Sequence, residues 1–110
     1  MNKVSYEERN LAYKTALAIY GRGNQLVVAL EELSEAQKEI CKAMRGKADL
    51  DHLAEEIADA TIMLEQVRQI YGLNDLVCQK MDEKIKRLVG RMMGVKDKTR
   101  STTKVGDRIG

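Results

Sequence analysis

The stretch from Glu31 to Asp59 decides the fold, and it reads EELSEAQKEICKAMRGKADLDHLAEEIAD. On both sides of its polar centre, apolar residues recur three and four positions apart, which is the spacing of one helix face. The centre itself, residues 46–51, contains glycine and aspartate, which commonly end and cap helices. The sequence therefore predicts a helical hairpin made of residues 25–44 and 52–71.

The same signals predict one further helix on each side of the hairpin. The first, residues 5–20, begins with Ser5 and Glu8, the spacing of a capping box, and residues 21–23 end it with two glycines. A last helix over 75–92 carries apolar residues at helical spacing. Candidate N-caps precede the second, third and fourth helices, and they are Asn24, then Asp49 or Asp51, and Asn74.

A chain of 110 residues has the length of one domain, which we place at residues 1–93. Residues 94–110 are basic and polar with almost no apolar content, so we expect a flexible tail there. No segment alternates with period two over a useful length, and Pro, Phe and Trp are absent. These features predict an all-α protein, a four-helix bundle with an aliphatic core.

The composition argues against several classes of function. Nineteen basic and 17 acidic side chains give a net charge of +2, whereas a general nucleic-acid binder usually has a clear basic excess. No apolar run has the length of a membrane span, and the N-terminus lacks the apolar h-region that a signal peptide needs, so we expect neither. Cys41 and Cys78 lack the spacing of a metal site, so we expect reduced thiols in the cytoplasm.

Four acidic residues of the hairpin fall on or beside its apolar faces. On a helical wheel Glu56 lies within the apolar stripe of its helix and Asp59 one turn further along, while Glu32 and Glu35 lie at the edge of the other stripe. A carboxylate on an apolar face is costly unless it is paired or binds a metal. In an antiparallel hairpin the two pairs converge, and all-carboxylate ligation favours Mg²⁺ or Mn²⁺.

The pattern alone leaves a second interpretation open, because acidic pairs three residues apart are also common on solvated helix faces. Glu55 and Glu65 point away from the stripes and are predicted to be ordinary surface charges. His52 stands alone near a helix start, without a second His or a Cys beside it, so a surface or capping role is expected for it.

The order of the acids is similar to the signature of a known family. Glu31-Glu32-x-x-Glu35, followed after 20 residues by Glu56-x-x-Asp59, resembles the motif of the MazG-like all-α nucleoside triphosphate pyrophosphohydrolases. The flanking sequences LEELSE and LAEEIADATIML agree with the core helices of that family. The resemblance covers roughly residues 20–92.

The resemblance implies a site and a reaction. It makes Glu32, Glu35, Glu56 and Asp59 the Mg²⁺ ligands. Glu31 would be an accessory acid, which either contacts the ligands without binding the metal or orients a water. It implies hydrolysis of a nucleoside triphosphate, ribose or deoxyribose, to the monophosphate and pyrophosphate. The physical logic is metal-assisted phosphoryl transfer.

The last predicted helix offers positive charge to such a substrate. Its cations recur three to four residues apart and so share a face; they are Lys80, Lys84, Arg87 and Arg91. Family members carry a basic helix here, and this chain departs from them at Asp82 and Ile85, so a solvated basic face is the alternative to phosphate contacts. Gln25 is a further candidate substrate contact, with an ordinary first-turn polar residue as its alternative.

The resemblance also implies assembly, because the family builds its site from a homodimer or a homotetramer of two dimers. Val27, Val28 and Ile62 lie off the main stripes and are candidates for burial against a partner. Two rival functions remain: a non-catalytic helical oligomeric adaptor or regulator with a structural acidic cluster, and a pyrophosphatase specific for one nucleotide such as dUTP.

Overall fold

The computed structural model of the chain describes residues 3–94, and these form helices joined by short turns, without a strand. The helices are α1 (Tyr6–Tyr20), α2 (Arg22–Met44), α3 (Leu50–Ile70) and α4 (Asn74–Met93). The all-α prediction is confirmed. The predicted tail lies outside the described residues, apart from Gly94.

Local capping signals account for the ends of the first two helices. The predicted capping box is confirmed, because the Glu8 N–H donates to Ser5 Oγ at 3.0 Å and the Ser5 N–H donates to Glu8 Oε1 at 2.8 Å. The predicted N-cap Asn24 is wrong. Gly21, at φ 88°, turns the chain in a single residue, so α2 begins at once and Asn24 lies inside it.

The hairpin turn between α2 and α3 is closed by Asp49, which resolves the choice of N-cap left open by the sequence. Its carboxylate accepts hydrogen bonds from the N–H groups of Asp51 at 3.0 Å and His52 at 3.5 Å. The helix then begins at Leu50, two residues earlier than predicted.

The two hairpin helices run antiparallel and form the main packing contact, and α1 packs on both. Pairs of side chains show the direction: Gln25, early in α2, contacts Gln66, late in α3, whereas Glu39, late in α2, contacts His52 near the start of α3. The buried apolar residues are few and mostly small, namely Tyr13, Ala29, Ala36, Ala60 and Met63. Alanine at these contacts allows two helices to approach closely.

The predicted apolar stripes are wider than the buried surface. Leu30, Ile40 and Met44 are among the apolar residues at helical spacing in α2, yet Leu30 is 69% exposed and the other two are also exposed. The reason is that α1 and α3 together cover only part of the circumference of α2 in a single chain.

Residues 3–74 belong to one compact unit, and α4 from Asp75 onward belongs to a second. Within α4 the apolar residues at helical spacing are exposed, and they include Leu76, Met81, Ile85, Leu88 and Met92. Glu83 accepts a hydrogen bond from Gln79 at 3.2 Å and pairs with Lys80 at 3.7 Å. None of the helices in residues 3–94 combines the length and the apolar character needed to cross a membrane.

Candidate metal centre

Three of the four predicted ligands meet in the middle of the hairpin. Glu32 of α2 and Glu56 and Asp59 of α3 each present a carboxylate oxygen, and these oxygens lie within 4.8 Å of one another. Glu56 and Asp59 share a face because they are three residues apart, and the antiparallel packing brings Glu32 opposite them. We call these three residues the acidic trio.

The other two predicted acids lie close by on α2 without joining the trio. Glu35 is exposed, and its carboxylate lies 3.7 Å from Lys38 Nζ. Glu31 is exposed as well. Ligation by Glu35 and an accessory role for Glu31 stay predictions.

Burial and neighbouring negative charge both act on Glu32. Burial raises the pKa of Glu32 above its ordinary value, and so do the carboxylates of Asp59, Glu56, Glu35 and Glu31, in that order. Each of these terms disfavours the ionised form of Glu32. A bound cation would offset the repulsion among these carboxylates.

The donor set fits a hard divalent cation. All three members of the trio offer carboxylate oxygens, which is the ligand type that Mg²⁺ and Mn²⁺ prefer. Glu56 Oε1 is buried and finds no hydrogen-bond partner in the described part of the chain. A buried acceptor in that state is costly, and coordination of a cation would satisfy it.

A neighbouring group of residues was not predicted from the sequence. Glu39, one turn after Glu35, is only 3% exposed. Lys42 Nζ lies 3.2 Å from Glu39 Oε2, and His52 Nε2 lies 3.5 Å from the same oxygen. Glu39 lies three residues after Ala36 and four before Ala43, so it shares a helix face with them, but this spacing alone does not distinguish it from an exposed acid.

His52 does more than the predicted surface or capping role. Its backbone N–H does lie in the cap formed by Asp49, and its side chain is 44% exposed. The imidazole, however, lies among carboxylates, with Nε2 3.7 Å from Glu56 Oε2 and Nδ1 3.5 Å from Glu55 Oε1. It therefore links the buried Glu39 to a member of the trio.

Glu65 is not the ordinary surface charge that the helical wheel predicted. The Tyr13 hydroxyl donates a hydrogen bond to Glu65 Oε1, and Arg9 pairs with the same carboxylate at 3.4 Å. The reason is that α1 packs against this side of α3. Burial raises the pKa of Tyr13 to about 12, with further contributions from the hydrogen bond to Glu65 and its charge.

Gln25 lies in the core of the hairpin. It is 6% exposed, and its side-chain N–H donates to Gln66 Oε1 at 2.6 Å. Gln66 in turn donates to the sulfur of Met63 at 3.3 Å. The amide of Gln25 thus ties α2 to α3 in this chain, and substrate contact by Gln25 stays a prediction.

The predicted phosphate-binding cations Lys80, Lys84 and Arg87 all lie on α4 and are exposed. Phosphate binding by these cations stays a prediction. Comparison with family models, curated proteins and solved structures finds no match to this chain.

Proposed function

We propose that the protein is a Mg²⁺-dependent nucleotide pyrophosphohydrolase of MazG-like type, which cleaves a (deoxy)nucleoside triphosphate to the monophosphate and pyrophosphate. The observation that carries the proposal is the convergence of Glu32, Glu56 and Asp59, whose oxygens lie within 4.8 Å of one another. Mn²⁺ would also suit these ligands.

The chain's own groups divide the work of such a reaction. When bound, the divalent cation neutralises phosphate oxygens and lowers the pKa of a coordinated water. Glu32, Glu56 and Asp59 would hold it, and Glu35, whose charge already acts on Glu32, is the proposed fourth ligand. Glu31, next to Glu32 and exposed, would orient the attacking water or accept its proton.

The cations of α4 belong to the proposal as phosphate-binding groups. Lys80, Lys84 and Arg87 are spaced to share one helix face and would bind phosphate oxygens. In the proposed reaction they orient the triphosphate and offset its charge, as positioning and electrostatic stabilisation dominate phosphoryl transfer.

Assembly as a homodimer, or as a homotetramer of two dimers, belongs to the proposal. Large apolar residues are exposed on the single chain, among them Val27 and Ile62, which were predicted to meet a partner. Val28, the third of these, is half-buried. A cytoplasmic location is proposed from Cys41 and Cys78, which are exposed and which we expect to be reduced thiols.

The test is a panel of standard and modified nucleoside triphosphates with Mg²⁺, with pyrophosphate and monophosphate as the products measured. We expect release from at least one nucleotide, loss of release in Glu56→Gln, and full release in the matched control Glu55→Gln, because Glu55 is exposed and outside the trio. No release from any nucleotide by folded protein would favour the non-catalytic helical adaptor instead.

A further inference from the structure

Glu39 is a buried carboxylate that the proposed reaction does not use. It lies on α2 with only 3% of its surface exposed, and its Oε1 has no hydrogen-bond partner among the described residues. Removing a carboxylate from water is costly, and partial pairing with Lys42 at 3.2 Å offsets only part of that cost. A buried acid with an unsatisfied oxygen calls for a reason beyond packing.

The contacts of His52 supply a reason. Its Nε2 lies between two carboxylates from different helices, 3.5 Å from Glu39 Oε2 and 3.7 Å from Glu56 Oε2. Glu39 is nearly inaccessible, and Glu56, whose side chain is 14% exposed, is the most buried contact of the imidazole after it. Nε2 of His52 therefore lies beside the buried carboxylate of Glu39 and beside Glu56, a member of the acidic trio.

The two oxygens of Glu56 are placed in different surroundings by this arrangement. Oε2 faces the imidazole, whereas Oε1 is buried without a hydrogen-bond partner in the described residues. The 3.7 Å separation is longer than a hydrogen bond, so the imidazole acts on Oε2 as a nearby polar or charged group, and Oε1 is left to accept a ligand. Groups beside a metal ligand commonly strengthen metal binding.

We propose that Glu39 and His52 are positioning residues for the metal centre, with Glu39 fixing the imidazole and the imidazole fixing Glu56. This inference rests on the proposed metal site, and it adds two residues that neither the acidic motif nor the resemblance assigns. The competing explanation is structural: Glu39 and His52 stabilise the end of the hairpin and leave cation affinity unchanged.

The experiment measures Mn²⁺ affinity of the full chain at neutral pH, by electron paramagnetic resonance of free Mn²⁺ and by calorimetry, without nucleotide. The variants are His52→Ala, His52→Gln, Glu39→Gln and Glu55→Gln. Glu39 and Glu55 make a matched pair, because each lies 3.5 Å from a ring nitrogen of His52 and only Glu39 is buried. Circular dichroism and a thermal melt without cation accompany each variant.

Loss of the outer partner of a metal ligand commonly lowers affinity by about 10- to 100-fold. We expect roughly tenfold weaker binding in His52→Ala and in Glu39→Gln, recovery of most of that loss in His52→Gln, which keeps an N–H donor, and a change under about twofold in Glu55→Gln. The loss of affinity should not follow the melting temperature of the cation-free variants, as it would for a purely structural role.

Wild-type protein that binds Mn²⁺, together with His52→Ala and Glu39→Gln of unchanged affinity, would overturn the positioning role and leave the metal centre standing. If His52→Gln binds Mn²⁺ as weakly as His52→Ala, the positioning role is likewise overturned and the metal centre stands. Wild-type protein that fails to bind Mn²⁺ at all would instead overturn the metal centre, and the positioning role with it.

Discussion

Replacing Glu32 by glutamine should change stability in opposite directions with and without a divalent cation. The described structure gives Glu32 no cationic partner, so the substitution removes repulsion and breaks no ion pair. A carboxylate oxygen of Glu56 and one of Asp59 each lie within 4.8 Å of a carboxylate oxygen of Glu32. Each such pair repels by about 0.9 kcal/mol in water, and screening in physiological salt leaves about 1 kcal/mol for the two together.

Without cation, the free energy of unfolding of Glu32→Gln should therefore be about 1 kcal/mol higher than that of wild type. This difference corresponds to a rise in melting temperature of roughly 4–8 °C. The gain depends on pH. Because burial and the neighbouring carboxylates raise the pKa of Glu32, the folded protein holds that proton more readily than the unfolded chain. Protonated Glu32 therefore stabilises the folded wild type in acid, and this contribution is lost as the pH rises through the folded pKa. The advantage of the variant is largest at neutral pH and shrinks in acid.

With cation the order should reverse. A ligand at a hundred times its dissociation constant stabilises the folded state by about 2.7 kcal/mol. Wild type would gain that amount from Mn²⁺, whereas a variant with hundredfold weaker binding would gain only about 0.4 kcal/mol at the same concentration. Even after its initial advantage, Glu32→Gln should then be less stable than wild type by about 1 kcal/mol.

The assay is urea unfolding followed by circular dichroism, with chelator and then with Mn²⁺, at neutral and at acidic pH. Glu55→Gln is the control, since its side chain is 67% exposed and outside the trio, and it should show neither effect. A cation-free Glu32→Gln that is less stable than wild type, or one that gains as much from Mn²⁺, would refute the reasoning.

Two further predictions follow from contacts outside the metal centre. Tyr13 should ionise only near pH 12, and the free energy of unfolding should fall as the pH rises from about 10 through 12, because the folded state holds that proton longer than the unfolded chain. Ultraviolet titration of tyrosinate checks this, and the step near pH 12 should vanish in Tyr13→Phe. Gln25→Leu leaves the buried Oε1 of Gln66 without its hydrogen-bond donor and should cost about 1–3 kcal/mol in urea unfolding, whereas the double variant with Gln66→Leu should recover most of that loss. Equal stability of the single and double variants would contradict the role of the hydrogen bond.

Features encoded within one helical turn could be predicted from the sequence. The capping box of Ser5 and Glu8 and the cap at Asp49 need only neighbouring residues, and both are present. The three-residue spacing of Glu56 and Asp59 fixed their shared face in the same way, and a short turn sufficed to bring Glu32 opposite them.

Features that depend on which helix covers which face could not be predicted in this way. The wheel of α3 placed Glu65 in solvent because it contains no information about α1, which brings Tyr13 and Arg9 to that carboxylate. Glu39 was missed for a similar reason. Its burial comes from the neighbouring α3, and a single-helix pattern cannot distinguish it from an exposed acid at the edge of a stripe.

The alanines of the hairpin explain why acids from two helices can meet at all. Ala29 and Ala36 lie three residues before and four residues after Glu32, and Ala60 lies four residues after Glu56, so each shares a face with an acid. All three alanines are buried. Larger side chains at these contacts would hold the helices further apart and separate the carboxylates, so the packing that stabilises the hairpin also creates the repulsion that a cation would relieve.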